Sequence, residues 1–164
     1  MSAIDELIAA NKEYAAGLGA SNLPLRRGGT LAIVTCMDVR IETGVAFGLR
    51  EGDAYMVRNA GGRLAPAIPS LVVSQELLGT DALAIVHHSD CGMTTFTDGE
   101  LRARLEARGL DTGGMEFGTF TDIDESVRED LRAYRACPLL RQDIEVRGFV
   151  FQVESGLLRE IVTE

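Results

Sequence analysis

The sequence is short of basic side chains, contains only two histidines, and has too few cysteines for a disulfide scaffold. Lys and Arg number 16 against 25 Asp and Glu, which gives a net charge of −9. Nucleic acid is therefore not an expected partner, because phosphate binding requires clustered Lys and Arg. The three cysteines form an odd set without regular spacing, which favours reduced thiols in the cytoplasm over a secreted, disulfide-linked domain.

Long apolar runs are also missing. No uninterrupted apolar segment approaches membrane-spanning length, and the N-terminus is rich in acidic residues instead of carrying a basic segment followed by an apolar one. We therefore expect a cytoplasmic protein with no membrane partner. At 164 residues, the chain is long enough for one domain with a substantial core and too short for two, so we expect a single domain over residues 1–164.

Apolar, strand-like segments alternate with helical patterns along the chain. The sequence predicts helices at 4–18, 41–49, 70–78, 100–108 and 122–136, and strands at 30–35, 54–57, 82–87, 146–153 and 157–162. This alternation favours an α/β domain with an open, mostly parallel sheet flanked by helices, with the last strand at an edge.

The first predicted helix is amphipathic. Ile4, Leu7 and Ile8 recur at helical spacing, and Ser2 with Asp5 forms a capping-box pattern at its start. The apolar stripe either packs on the chain's own core, which is the usual arrangement, or lies across a neighbouring subunit. A loop over residues 22–29 separates this helix, residues 1–18, from the first strand.

Two predicted strands end in side chains that can carry chemistry. Cys36, Asp38 and Arg40 alternate after the first strand, so that in an extended segment they project to one side. His88 and Cys91 follow the strand at 82–87. Because ligand sites form beyond the carboxyl ends of parallel strands, we expect these two groups to meet.

The three ligand-type side chains match a catalytic zinc site. Zinc accepts thiolate and imidazole ligands, and Cys36, His88 and Cys91 provide three while leaving a fourth position open. Two thiolates cancel the charge of Zn²⁺, so we expect Asp38 to help orient a metal-bound hydroxide and Arg40 to keep Asp38 ionised and aimed. Asp38 freed from Arg40 can instead occupy the fourth position and close the site.

Several nearby residues have a simpler interpretation. His87 should point away from the metal side as a satisfied core or surface histidine, so a dedicated imidazole proton shuttle is not expected. Cys137 is interpreted as a packing residue. Asp90 either supports the ligands or is a turn carboxylate. Gly61 and Gly62 either present backbone donors to the substrate or form a plain turn.

Three segments together resemble the signature of the β-class carbonic anhydrases, most closely the short actinobacterial-type members. They are Cys36-Met37-Asp38-Val39-Arg40, Arg58-Asn59-Ala60-Gly61-Gly62 and His88-Ser89-Asp90-Cys91-Gly92. The resemblance implies that Cys36, His88 and Cys91 bind one Zn²⁺ per chain and that Asp38 and Arg40 form a catalytic dyad. It also implies a four-stranded parallel core with an added strand, and a homodimer or homotetramer in which the N-terminal helix contacts the neighbouring subunit.

The implied activity is the reversible hydration of CO₂ to bicarbonate by metal-bound hydroxide. The family also contains hydrolases of carbonyl sulfide and carbon disulfide that use the same ligands and dyad, so these small linear molecules are alternative substrates. A third hypothesis, from another functional class, is a structural-zinc or thiol-redox protein that uses this fold without catalysis.

Overall fold

The computed structural model describes residues 2–17 and 31–162 of the chain. Within these ranges the helices are α1 Ala3–Gly17, α2 Thr43–Ala46, α3 Ile68–Leu77, α4 Asp98–Glu106 and α5 Ile123–Ala136. The strands are β1 Leu31–Cys36, β2 Ala54–Asn59, β3 Ala82–His88, β4 Glu145–Gln152 and β5 Leu157–Ile161. The predicted loop over 22–29 lies outside the described residues.

The strands of the described chain form one five-stranded sheet in the order β2-β1-β3-β4-β5. β2, β1, β3 and β4 are mutually parallel where they pair, whereas β5 is antiparallel to β4 and lies at an edge. The short turn at Ser155-Gly156 explains this reversal, because a tight turn joins antiparallel strands, whereas parallel strands need a longer crossover. The predicted α/β sheet with a four-stranded parallel core and an edge strand is confirmed.

Apolar side chains cover the central strands on both faces. On one face Val34 and Ile85 pack with residues of α3 and α5, including Leu71 and Val127. The other face carries a second buried cluster that includes Cys36 and Cys91. Coverage on both faces accounts for the continuous apolar sequence of β1 and β3.

The helix predicted at 41–49 is present but shorter, because only Thr43–Ala46 is helical. Gly48 follows the end of this helix with a φ of +64°, a left-handed conformation that does not continue a helix, and Gly44 within it costs about 1 kcal/mol relative to alanine. The side chain of Glu42, at the N-cap position, makes no capping hydrogen bond. The helix predicted from residue 70 begins earlier, at Ile68, with Pro69 in the first turn, where a missing N–H costs nothing.

The N-terminal helix has no buried residue among the parts of the chain that the structure describes. The Ser2–Asp5 capping box is present, with the Ser2 N–H and Oγ donating to Asp5 Oδ2 at 2.8 and 2.9 Å. No residue of α1 is buried, and Ile4 and Leu7 are 70% and 68% exposed. Packing of this helix on the chain's own core, the usual arrangement, was therefore a wrong expectation. The reason is that the apolar stripe meets no apolar surface within the described residues.

The helices do not have the length and composition of a membrane span. Within residues 2–17 and 31–162, none is both long and apolar enough to cross a lipid bilayer.

Candidate metal centre

Cys36, His88 and Cys91 converge at the carboxyl ends of two adjacent strands. Cys36 is the last residue of β1 and His88 the last of β3, and Cys91 follows in the turn after β3. Their potential ligand atoms all lie within 4.8 Å of one another, and all three side chains are buried. The structure thus brings together the three residues that the sequence predicted as metal ligands.

The imidazole of His88 is oriented for binding a cation. Its Nδ1 lies 2.9 Å from the carbonyl oxygen of Ser89, an atom that can only accept, so Nδ1 carries the proton. Its Nε2 is buried, and among the described residues it has no hydrogen-bond partner. A buried nitrogen lone pair beside two sulfur atoms is costly unless something binds it, and a thiophilic divalent cation satisfies all three groups.

The two sulfur atoms are electrostatically unequal. A hydrogen bond from the Cys91 thiol is the main cause that lowers the pKa of Cys36, and it outweighs the opposing effect of burial. The same shared hydrogen bond, followed by burial, raises the pKa of Cys91. Cys36 is therefore the thiol of the pair that loses its proton more readily, and a bound cation would favour deprotonation of Cys91 as well.

Asp38 lies beside this cluster and is held by Arg40. The Arg40 Nε and Nη2 donate to the two carboxylate oxygens of Asp38 at 2.9 and 2.8 Å, and the Arg40 backbone N–H donates at 2.9 Å. These hydrogen bonds hold the pKa of Asp38 well below its ordinary value. Asp38 Oδ2 is 3.8 Å from His88 Nε2, so an ionised carboxylate faces the ligand cluster.

Asp90 is an ion-pair partner of Arg40 as well as a turn residue. Arg40 Nη1 lies 2.7 Å from Asp90 Oδ2, and Arg40 Nη2 donates to the Asp90 carbonyl oxygen at 2.8 Å. Asp90 turns the chain between His88 and Cys91 with a φ of +53°, and its side chain contacts Arg40, which is not one of the three ligand-type residues. The charge pairing between positions 40 and 90 had no signal in the sequence.

The glycine pair follows β2 and packs under the end of β1. Gly62 has a φ of +70°, and a Cβ there would lie 2.9 Å from the backbone N of Cys36 and the backbone C of Thr35. Gly61, with a φ of +77°, lies in the wall of the cavity beside Cys36 and Cys91. Both conformations and the close approach require glycine, so this turn determines where the Cys36 backbone lies.

Arg58 is a site-supporting residue to which the sequence assigned no role. Its Nε donates to the carbonyl oxygen of Cys36 at 2.9 Å, and its Nη2 donates to that of Asp38 at 2.7 Å. The guanidinium thereby fixes the loop that carries both the thiolate and the carboxylate. Its position in a glycine-rich motif was the available signal, but backbone acceptors cannot be identified from residue types.

A cavity of about 550 Å³ opens over these residues. Its wall is mostly apolar and includes Met37, Val39, Met93 and Phe96 beside the polar pair Asp38 and Arg40. Such a wall suits a small, uncharged molecule better than a large polar one.

His87 points away from the ligand cluster, as predicted. It is fully buried, with Nδ1 at 2.7 Å from Ser126 Oγ and Nε2 at 3.1 Å from Asp130 Oδ2. Asp130 also accepts the Leu64 backbone N–H at 3.1 Å, which ties α5 to the segment after the glycine pair. The prediction of a satisfied histidine is confirmed, and of the two positions left open the structure shows the core. Cys137, also as predicted, packs against the apolar core.

Comparisons with known proteins agree with this geometry. A sequence profile described as carbonic anhydrase matches residues 31–112. The chain is 36% identical over 162 residues to "Beta-carbonic anhydrase 1" of Mycobacterium tuberculosis, covering 98% of this chain and 99% of that protein. It is 30% identical over 155 residues to a carbon disulfide hydrolase of Acidithiobacillus thiooxidans, covering 79% of this chain and 71% of that protein. The crystal structure of a carbonic anhydrase from Streptococcus mutans superposes with a TM-score of 0.92 at 43% identity, covering 99% of both chains.

Proposed function

Because this chain belongs to the β-class of the carbonic anhydrase family, we propose that it catalyses the reversible hydration of CO₂ to bicarbonate. The observation that carries the proposal is the convergence of Cys36, His88 and Cys91 within 4.8 Å, beside the Asp38–Arg40 pair. We further propose that the protein acts in the cytoplasm.

We propose one Zn²⁺ per chain, held by Cys36, His88 and Cys91. Two thiolates and an imidazole form a ligand set typical of catalytic zinc sites that keep one open position. When bound, zinc supplies the Lewis acidity that makes a water molecule nucleophilic near neutral pH.

The chain's own residues would orient the reactants. The Asp38 carboxylate accepts a hydrogen bond from the attacking water and aims its lone pair at the carbon of CO₂, while Arg40 keeps Asp38 ionised. The apolar wall of the cavity admits uncharged CO₂, and Gly61 lines the space in which the substrate would lie. We propose that Gly62 contributes to substrate binding by positioning the turn that it forms with Gly61 after β2. Asp38 released from Arg40 would take the fourth metal position and close the site.

Purified protein loaded with zinc is expected to accelerate CO₂ hydration strongly, since a kcat in the range of about 1–1,000 s⁻¹ is ordinary for an enzyme. Stopped-flow measurement with a pH indicator at pH 8 to 9 tests this, with metal content determined on the same sample. The Cys91→Ser variant, which removes one thiolate ligand, serves as the control and should lose both zinc and activity. Stoichiometric zinc in the unmodified protein without acceleration would refute the proposal.

Hydrolysis of carbonyl sulfide or carbon disulfide is the second candidate function. The 30% identity to a carbon disulfide hydrolase favours it, together with a cavity wall that carries the polarisable side chains of Met37 and Met93. Sulfide release from either substrate, compared with CO₂ hydration on the same preparation, separates the two functions. A sulfide-releasing kcat/KM above that for CO₂ would make hydrolysis the main activity.

We propose that the protein is a homodimer or homotetramer in which residues 1–18 contact a neighbouring subunit. The exposed apolar stripe of α1 supports this, because burying Ile4, Leu7 and Ile8 is favourable by about 25 cal/mol per Å² of apolar surface. The double variant Ile4→Asp and Leu7→Asp should shift the assembly to a smaller species in light scattering. Glu13→Ala, an exposed substitution on the same helix, is the control. An unchanged mass for the double variant would exclude α1 from the interface.

A further inference from the structure

The guanidinium of Arg40 is shared between two carboxylates. Its Nε and Nη2 hold Asp38 at 2.9 and 2.8 Å, while Nη1 holds Asp90 Oδ2 at 2.7 Å. Nη2 also donates to the Asp90 carbonyl oxygen at 2.8 Å, so one nitrogen serves both residues. A single cation therefore pairs with two anions in this arrangement.

The two carboxylates occupy different environments. The Asp90 side chain is 75% exposed, whereas that of Asp38 is 16% exposed and faces the cavity. Like charges around one cation repel each other, so Asp90 weakens the hold of Arg40 on Asp38. If Asp38 moves away, this repulsion falls and Arg40 still keeps one full ion pair. The presence of Asp90 thus lowers the cost of releasing Asp38.

We propose that Asp90 competes with Asp38 for Arg40 and thereby sets how readily Asp38 leaves to occupy the fourth metal position. Asp90 is a positioning residue in this scheme, because it acts on Asp38 through Arg40. The inference rests on the proposed function, in which a metal binds Cys36, His88 and Cys91 and Asp38 alternates between Arg40 and that metal.

The backbone at Asp90 determines which variants can test this. Its φ is +53°, and within the described part of the chain it is the one non-glycine residue with a positive φ. Asparagine and glycine tolerate this left-handed conformation, whereas alanine would add strain. Asp90→Asn and Asp90→Gly therefore remove the charge while keeping the turn and its carbonyl acceptor.

The test measures how accessible the fourth metal position is, separately from catalysis. Cobalt(II)-substituted protein is titrated with imidazole at several pH values, and binding of the neutral form is read from the visible absorption spectrum. Imidazole must displace Asp38 in the closed state, so its apparent affinity falls with the closed fraction. A neutral probe is used because removing a nearby negative charge would by itself strengthen binding of an anion.

We expect Asp90→Asn and Asp90→Gly each to bind imidazole about two- to fivefold more tightly than the unmodified protein. This change in affinity corresponds to the interaction free energy that exposed ion pairs commonly have. Asp143→Asn is the matched control and should bind like the unmodified protein. Asp143 is 70% exposed and pairs with Arg141 at 2.7 Å. Arg141 also contacts the carbonyl oxygen of Thr80, ahead of β3 and away from the site.

Unchanged or weaker imidazole binding in the cobalt-loaded Asp90 variants would overturn the inference. Loss of cobalt from both variants would also overturn it, because Asp90 would then be required for the ligand geometry itself. If the unmodified protein binds cobalt and imidazole but does not hydrate CO₂, the proposed function is refuted. The imidazole affinities of the unmodified protein and the Asp90 variants can still be compared in that case. An unmodified protein that binds no cobalt refutes both.

Discussion

Replacing Asp38 by asparagine is expected to lower kcat for CO₂ hydration by about 100-fold or more, the usual contribution of a positioned acid–base group, while zinc stays bound. The carboxylate is ionised because Arg40 holds its pKa well below the ordinary value. An amide of the same shape carries no charge and can point a donor where an acceptor is needed. The three proposed metal ligands are untouched by the substitution, and Arg40 keeps its ion pair with Asp90.

The measurement is stopped-flow CO₂ hydration, with zinc content and unfolding midpoint determined on the same preparation. Asp143→Asn is again the control, because it removes a carboxylate from an arginine on a different loop and should retain full activity. Undiminished turnover in zinc-loaded Asp38→Asn would remove Asp38 from the mechanism. If the unmodified protein and Asp143→Asn both fail to turn over CO₂, carbonyl sulfide and carbon disulfide, the structural-zinc or thiol-redox alternative would be favoured.

The second large effect is expected from Gly62→Ala, which should lower the free energy of unfolding by about 3 kcal/mol. Alanine in a left-handed conformation costs about 1–2 kcal/mol. Overpacking commonly adds about 1–3 kcal/mol, and here the new Cβ would lie 2.9 Å from backbone atoms of Thr35 and Cys36, which cannot rotate away. The same displacement would move the Cys36 thiolate, so weaker zinc binding should accompany the loss of stability.

Urea unfolding of the zinc-free proteins isolates the stability effect from metal binding. The matched control is Gly156→Ala, since Gly156 has a φ of +73°, but a Cβ added there would meet no atom within 4 Å beyond its chain neighbours. It should cost only the backbone strain of about 1–2 kcal/mol. Equal losses for the two variants would show that the close approach at Gly62 contributes nothing to stability.

The sequence by itself determined the sheet and the composition of the candidate metal centre. Continuous apolar segments ending in Cys36 and His88 identify buried parallel strands, and parallel strands place their carboxyl ends at one edge. For this reason the convergence of Cys36, His88 and Cys91 could be expected from the order of residues alone. The Asp38–Arg40 pair was expected as well, but from an extended segment. In the structure β1 ends at Cys36, and the pair forms in a turn beyond it, in which the Ile41 N–H donates to the Asp38 carbonyl oxygen at 3.1 Å.

Only the tertiary structure decided the contacts that depend on backbone atoms and on distant charges. Arg58 acts through two carbonyl oxygens, which every residue possesses and no sequence pattern marks. Asp90 meets Arg40 across a separation of 50 positions, and its exposed carboxylate looks like any turn residue in the sequence. The partnerless state of α1 within the described residues likewise depends on which surfaces the rest of the chain presents, since an amphipathic pattern specifies an apolar face and leaves its partner undefined.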